Sequence, residues 1–233
     1  MPRAFLLFIS LALPLAAQSP ATEQGKIDPS GKFQPKGTTA ESNEEKTPET
    51  RPDIKRLDAE RLKIIDIIVH RTERSITFPV SIAAREQMLE YLLVHEKGKA
   101  HESLLTTKVN PRDLHLAVLL LGANGQSPKI ELTWRKNGPD ARFLLTDLIE
   151  TIDGTAPLSP GKWNYAGSAF DTRGFIAERE GSFITVLDDP SALIRHPEAV
   201  KLGKDDQFRA QKKRLPAEGT PISLVLTFPK STP

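Results

Sequence analysis

The chain has no cysteine among its 233 residues. This excludes a thiol nucleophile, a Cys-ligated iron–sulfur cluster, a Cys-based zinc site and a lipid-anchored amino-terminal cysteine. Burial alone, without disulfides, must hold the core together. An excess of one charge is also missing. The 32 basic and 30 acidic residues leave a formal net charge of +2, so no nucleic-acid footprint is indicated. The single tight basic run, Lys212, Lys213 and Arg214, reads as a solvated strand end or loop. Nor is there an apolar segment of the roughly 20 residues needed to cross a bilayer, so the mature protein is not expected to be an integral membrane protein.

The first stretch, "MPRAFLLFISLALPLAAQSP", has the three parts of a secretory signal peptide. Arg3 supplies the positive region, residues 4–15 the apolar run, and Ala16 and Ala17 the small residues before cleavage. Residues 1–17 are therefore expected to direct export, to the periplasm or beyond the cell. Residues 18–60 follow, rich in Pro, Gly, Ser, Thr, Glu and Lys, as in "GKFQPKGTTAESNEEKTPET". Such a segment buries too little apolar area to offset its ordering entropy and is expected to be a disordered tether.

Residues 61–230 carry the folding signals. In "KIIDIIVH", Ile65, Ile67 and Val69 are predicted to share a strand face. In "SITFPVSIA", Ile76, Phe78, Val80 and Ile82 alternate with polar positions, and Pro79, which has no N–H, argues for an edge strand or a bulge. "QMLEYLLVHEKG" is apolar on both faces apart from Glu90 and reads as an interior strand. "NPRDLHLAVLLLGANG" predicts a helix: Asn110 caps it, Pro111 suits its first position, Asp113 favours the positive end of its dipole, and Gly122 closes it. Leu114, Ala117, Val118 and Leu121 form one stripe. Leu116, Leu119 and Leu120 extend it almost all round, so the helix is expected to be largely buried. "KIELTWRKNGPDARFLLTDLIE" and "GFIAEREGSFITVL" are predicted hairpins, the second turning at Glu180 and Gly181. "DDPSALIRHP" is predicted to form a short helical turn capped by Asp189, and "TPISLVLTF" a closing strand with Ile222, Leu224, Leu226 and Phe228 on one side. The expected fold is α+β: mainly antiparallel sheet packed around one buried helix at about residues 111–121.

"LEYLLVHEKGKAHESLLTTKVNPRDLHLAVLLLGA", "GKWNYAGSAF", "DDPSALI" and "LPAEGTPISLVL" together resemble the YdjY-like domain of exported bacterial proteins, over essentially residues 62–228. The resemblance implies export and a fold, and a family without an assigned activity. Some proteins it resembles carry a cysteine shortly before the His-Glu-Ser turn, where Val94, His95 and Glu96 stand here.

Three roles compete for His101, Glu102 and Ser103. A direct catalytic triad is disfavoured because in an extended chain His101 and Ser103 point to one side and Glu102 to the other, and no glycine flanks Ser103 as a nucleophile elbow requires. A divalent metal could be held by His95, His101, Glu102 and His115, but only if the fold gathers them, since no pair has helical ligand spacing. Shaping a turn is the third role, the side chains satisfying backbone groups left behind where a strand crosses to a helix. Trp163 and Tyr165, near glycines and Ser168, could line a groove for a sugar or peptide or simply pack in the core. No cofactor is predicted. The leading expectation is a non-catalytic exported module that binds a protein partner or small ligand through His101, Glu102, Ser103, Trp163, Tyr165 and Ser168. The alternative is a metal-dependent, hydrolase-like enzyme.

Overall fold

Alternating apolar residues in "SITFPVSI" build the strand around which the rest of the sheet is arranged. The computed structural model describes residues 26–27, 33–34, 52–135, 138–153, 158–202 and 207–230. It separates into two units, Met1–Glu49 and Thr50–Pro233. Among its described residues the first unit holds one antiparallel pair, Lys26–Ile27 with Phe33–Gln34. The expected signal peptide and most of the expected tether lie outside the described residues. The tether boundary at residue 60 is corrected, because Ile54–Arg56 is already a strand of the second unit.

Among the described residues of that unit, twelve strands share one sheet. In chain order they are β1 (Ile54–Arg56), β2 (Arg61–Ile64), β3 (Ile67–His70), β4 (Ser75–Ile82), β5 (Tyr91–His95), β6 (Ser103–Thr107), β7 (Lys129–Arg135), β8 (Asp140–Leu144), β9 (Asn164–Tyr165), β10 (Ser182–Thr185), β11 (Ile194–Arg195) and β12 (Ile222–Thr227). Their spatial order is β8-β7-β12-β4-β6-β5-β10-β11-β9, with β1-β2-β3 joining at β4. Only the β5–β6 and β10–β11 pairs are parallel. A smaller sheet joins Ile149–Thr151, Phe208–Ala210 and Met88–Leu89. The helices are α1 (Pro111–Leu120), α2 (Ile176–Glu180) and α3 (Pro197–Leu202). This is the α+β, mainly antiparallel architecture that the pattern of apolar residues predicts.

Several local expectations change, each for a physical reason. Ile65 does not share a strand face with Ile67 and Val69. It sits in the tight turn between β2 and β3 with φ of +52°, half exposed, while Ile64 takes the core position. Pro79 lies in a central strand, neither at an edge nor in a bulge. One side of β4 is shared by two partners, β3 at residues 75–77 and β6 at residues 81–82. The proline falls in the gap between them, where no ladder donor is needed, and its carbonyl accepts a 2.8 Å bond from Thr107 Oγ1.

α1 is buried on one face only. Leu114, Ala117 and Val118 are in the core, but Leu119 and Leu120 remain 47% and 44% exposed. The predicted hairpin at Glu180 is instead the helix α2, closed by Gly181 in the left-handed conformation with φ of +68°. The expected short turn in "DDPSALIRHP" is present as a single turn capped by Asp189, whose carbonyl accepts from Ala192 N–H at 3.2 Å. The Asp189 carboxylate accepts from Ser191 N–H at 2.9 Å, and the chain then enters β11.

Candidate functional site

Residues 96–102 have to carry the chain from the end of β5 back to the start of β6, because these neighbours run parallel with Tyr91 opposite Ser103 and His95 opposite Thr107. Parallel neighbours ordinarily need a connection of a dozen or more residues. Here the return distance is that of a five-residue strand, about 13 Å at 3.3 Å per step, which so short a segment can still span. The turn closes by hydrogen bonds from Gly98 N–H to His95 O (2.8 Å), Ala100 N–H to Gly98 O (2.9 Å) and Glu102 N–H to Lys99 O (3.1 Å).

Two glycines make room for this path. A Cβ on Gly98 would stand 3.2 Å from His95 O and 3.7 Å from Gly181 Cα, and one on Gly181 would stand 3.2 Å from His95 Cβ. The crossover therefore rests on the glycine that ends α2.

Several side chains of this segment and its flanks are occupied. Ser103 is fully buried and its hydroxyl donates to Leu105 O at 2.8 Å. His101 is 78% exposed along its side chain, with Nε2 3.1 Å from Glu102 Oε1. His95 Nδ1 accepts from Lys97 N–H at 3.2 Å. Lys99 Nζ donates to Tyr91 Oη at 2.6 Å and lies 4.7 Å from the centre of the same ring. Burial pushes the Tyr91 phenol up, and the Tyr91 hydrogen bond raises the Lys99 ammonium. Burial also disfavours the Asp189 carboxylate beside them, but hydrogen bonds from Ser191 and Ser182 outweigh it and hold Asp189 below the usual carboxylate range.

A different situation prevails where α1, the start of α2 and residues 163–175 meet. The Asn110 side chain caps α1 by accepting from Arg112 N–H at 2.8 Å, and its amide donates to Glu178 Oε1 at 2.6 Å. Arg112 pairs with the same carboxylate at 2.9 Å. One turn on, His115 is half-buried, its ring 5.2 Å from Phe175 and parallel within 8° to Tyr165. His115 Nδ1 is 2.8 Å from Tyr165 Oη.

Burial raises the Tyr165 phenol far above its ordinary value and lowers the His115 imidazole. The phenol thus keeps its proton and the ring is neutral; Nδ1 is the one partner among the described residues that the buried Tyr165 hydroxyl meets, and assigning it as the acceptor puts the imidazole proton on Nε2. Gly167, with φ of +78°, is needed beside this pair, since a Cβ there would stand 3.1 Å from Asn124 Oδ1 and 3.4 Å from His115 Cε1.

Ser168 follows in the same left-handed region with φ of +56°. Its Oγ is buried and has no hydrogen-bond partner among the described residues. Two residues further on, Phe170 is 66% exposed and its ring contacts Phe175 at 4.7 Å.

The structure therefore divides the predicted site residues. His101, Glu102 and Ser103 belong to the crossover. Trp163 is in the core, edge-on to the buried His196 at 4.7 Å. Tyr165 is also fully buried and reaches the site only through His115. Ser168 joins His115 at the corner. The four candidate metal ligands are not brought together: among the described residues no three His, Cys, Asp or Glu side chains converge as an ion site would require.

Sequence reasoning missed Phe170. The turn "FDTRGF", with a phenylalanine on either side, was the available signal. It also missed the Tyr91–Lys99–Asp189 cluster, whose Asp189 comes from a distant part of the chain.

A model of the YdjY domain family matches residues 67–227. No curated protein and no solved structure matches the chain. Among the described residues no helix is long and apolar enough to cross a membrane.

Proposed function

The chain belongs to the YdjY domain family, and from that premise we propose that it is an exported, non-catalytic module that binds a ligand or partner at the corner formed by His115, Ser168 and Phe170. The carrying observation is the Ser168 hydroxyl. A non-glycine residue in the left-handed region costs roughly 1–2 kcal/mol, and a buried hydroxyl without a partner costs about another 1–3 kcal/mol. Both costs fall on one residue, which follows Gly167, where a Cβ would stand 3.4 Å from His115 Cε1, and precedes by two the exposed Phe170. Strain and unsatisfied polar groups concentrate where a protein meets its ligand.

The recognised chemistry is a neutral group with an apolar face for Phe170 and an acceptor for the imidazole N–H and for the Ser168 hydroxyl once its side chain rotates out of its buried position, which describes a sugar or a peptide backbone. The signal-peptide pattern of residues 1–17 supports export. In the crossover, by contrast, the polar groups are paired with each other and the backbone, so it acts as scaffold.

The test is a set of neutral mono- and disaccharides and capped dipeptides titrated into ¹⁵N-labelled protein. Amide shifts are expected at residues 115, 165–170 and 175. Phe170→Ala is expected to weaken the best binder by about tenfold, equivalent to 1.4 kcal/mol, while changing stability by less than about 0.5 kcal/mol, as exposed positions do. Shifts confined to other surfaces, or none, would overturn the proposal.

A further inference from the structure

β4 and β12 pair from Ser75 opposite Thr227 to Val80 opposite Ile222, and then part. The cause is local. Were the ladder to continue, Thr220 would lie opposite Ile82, but Thr220 N–H turns back to Ala217 O at 3.2 Å, Pro221 has no N–H to give, and Gly219 adopts φ of +74°.

Backbone alternation then fixes the direction of the free groups. Arg74 O accepts from Phe228 N–H on the β12 side, whereas Ala83 N–H donates to Leu104 O on the β6 side, so even-numbered residues of β4 face β12. The N–H and C=O of Ile82 therefore face the gap, and no described backbone group crosses to meet them. The gap is a cleft of about 500 Å³ between residues 80–87 and 217–222. Arg85 and Glu86 also line a neighbouring hollow of about 450 Å³, which continues along Glu150, Arg209, Lys212 and Lys213.

The charges along these hollows do not cancel. Glu86 is paired with Lys212 and Glu150 with Arg209. Arg85 donates to a carbonyl, Pro216 O, at 2.9 Å, and among the described residues neither Arg85 nor Lys213 has a carboxylate partner. Glu218, exposed at the outer rim, is the one remaining acid of the lining. An open backbone edge and a nearby surplus of positive charge lie in two hollows that share Arg85 and Glu86.

We propose that this cleft takes an extended peptide bearing a carboxylate, its main chain pairing with Ile82 and its carboxylate met by Arg85 and Lys213. An added strand obtains affinity from main-chain hydrogen bonds and selectivity from its side groups, and a charge-assisted bond to a guanidinium is the stronger kind of contact. This site is separate from the Ser168 corner and does not depend on it.

The probe is an array of extended hexapeptides with free carboxyl termini, matched by an array of the same sequences as terminal amides. Free-acid members are expected to bind and to shift the amides of Ile82, Ala83 and Thr220. Arg85→Gln should weaken the best binder by about tenfold and Lys213→Gln by about threefold, both with unchanged melting. Methylating the peptide nitrogen that faces Ile82 should weaken it by about tenfold without touching the protein. Absence of any binder, equal binding of acids and amides, or shifts confined to other surfaces such as the Ser168 corner, would each overturn the assignment.

Discussion

The crossover at residues 96–102 and the corner at Ser168 contain similar side chains, histidine, serine and an aromatic ring, and use them in opposite ways. In the crossover the main contacts close inward: Ser103 bonds Leu105, Lys99 bonds Tyr91, and Gly98 meets Gly181, while His101 meets Glu102 at the surface. At the corner Ser168 is strained and unpaired, and Phe170 stands in solvent. A dense run of chemically capable residues is therefore weak evidence for function when the fold consumes their bonding capacity. Unspent bonding capacity, held at a cost, is stronger evidence.

The largest expected effect is on the crossover. Gly181→Ala adds a Cβ in the left-handed region and 3.2 Å from His95 Cβ, and should cost about 3 kcal/mol of stability in urea denaturation; a loss below about 1 kcal/mol would show that the glycine contact is not needed. Ser103→Ala should cost about 1–2 kcal/mol by removing a buried hydrogen bond.

The corner should respond to acid. Burial holds the imidazoles of His115 and His196 below their ordinary value near 6.5, so as pH falls through that value the unfolded chain takes up protons that the folded chain does not. Their stabilisation is then present above about pH 6.5 and declines below it until the lowered folded-state values are reached. Denaturation at pH 7.5 and 5.5 should show this decline, reduced in His115→Gln.

The smallest expected effect makes the sharpest contrast. Ser168→Ala removes an unpaired hydroxyl and should raise stability by about 1 kcal/mol, the lower end of the cost of leaving that group unmet. Equal losses for Ser103→Ala and Ser168→Ala would erase the distinction between the two regions.

Much of the fold is written locally. The closing strand with Ile222, Leu224 and Leu226 buried, the interior strand at Tyr91–His95, and α1 with its Asn110 cap follow from period and capping residues. Errors arose where a residue's role depends on a distant neighbour. Pro79 is tolerated because β3 and β6 leave a gap beside it, and the leucines at 119 and 120 stay exposed because α1 is covered on one side. The residue pattern offers His115 as a metal candidate and Tyr165 and Ser168 as groove residues, but the His115–Tyr165 hydrogen bond joins residues 50 apart and is not legible in it.

The sequence by itself determined the thiol-free chemistry, the alternating strands, the capped helix and the membership of a family. These depend on side-chain type and spacing over a few residues, which water reads directly as burial and exposure. Only the tertiary structure decided that His101, Glu102 and Ser103 form a short return between parallel strands and that Ser168 is left with an idle hydroxyl. Whether a polar group is satisfied is a property of what the fold places around it, and those neighbours come from parts of the chain that spacing alone does not connect.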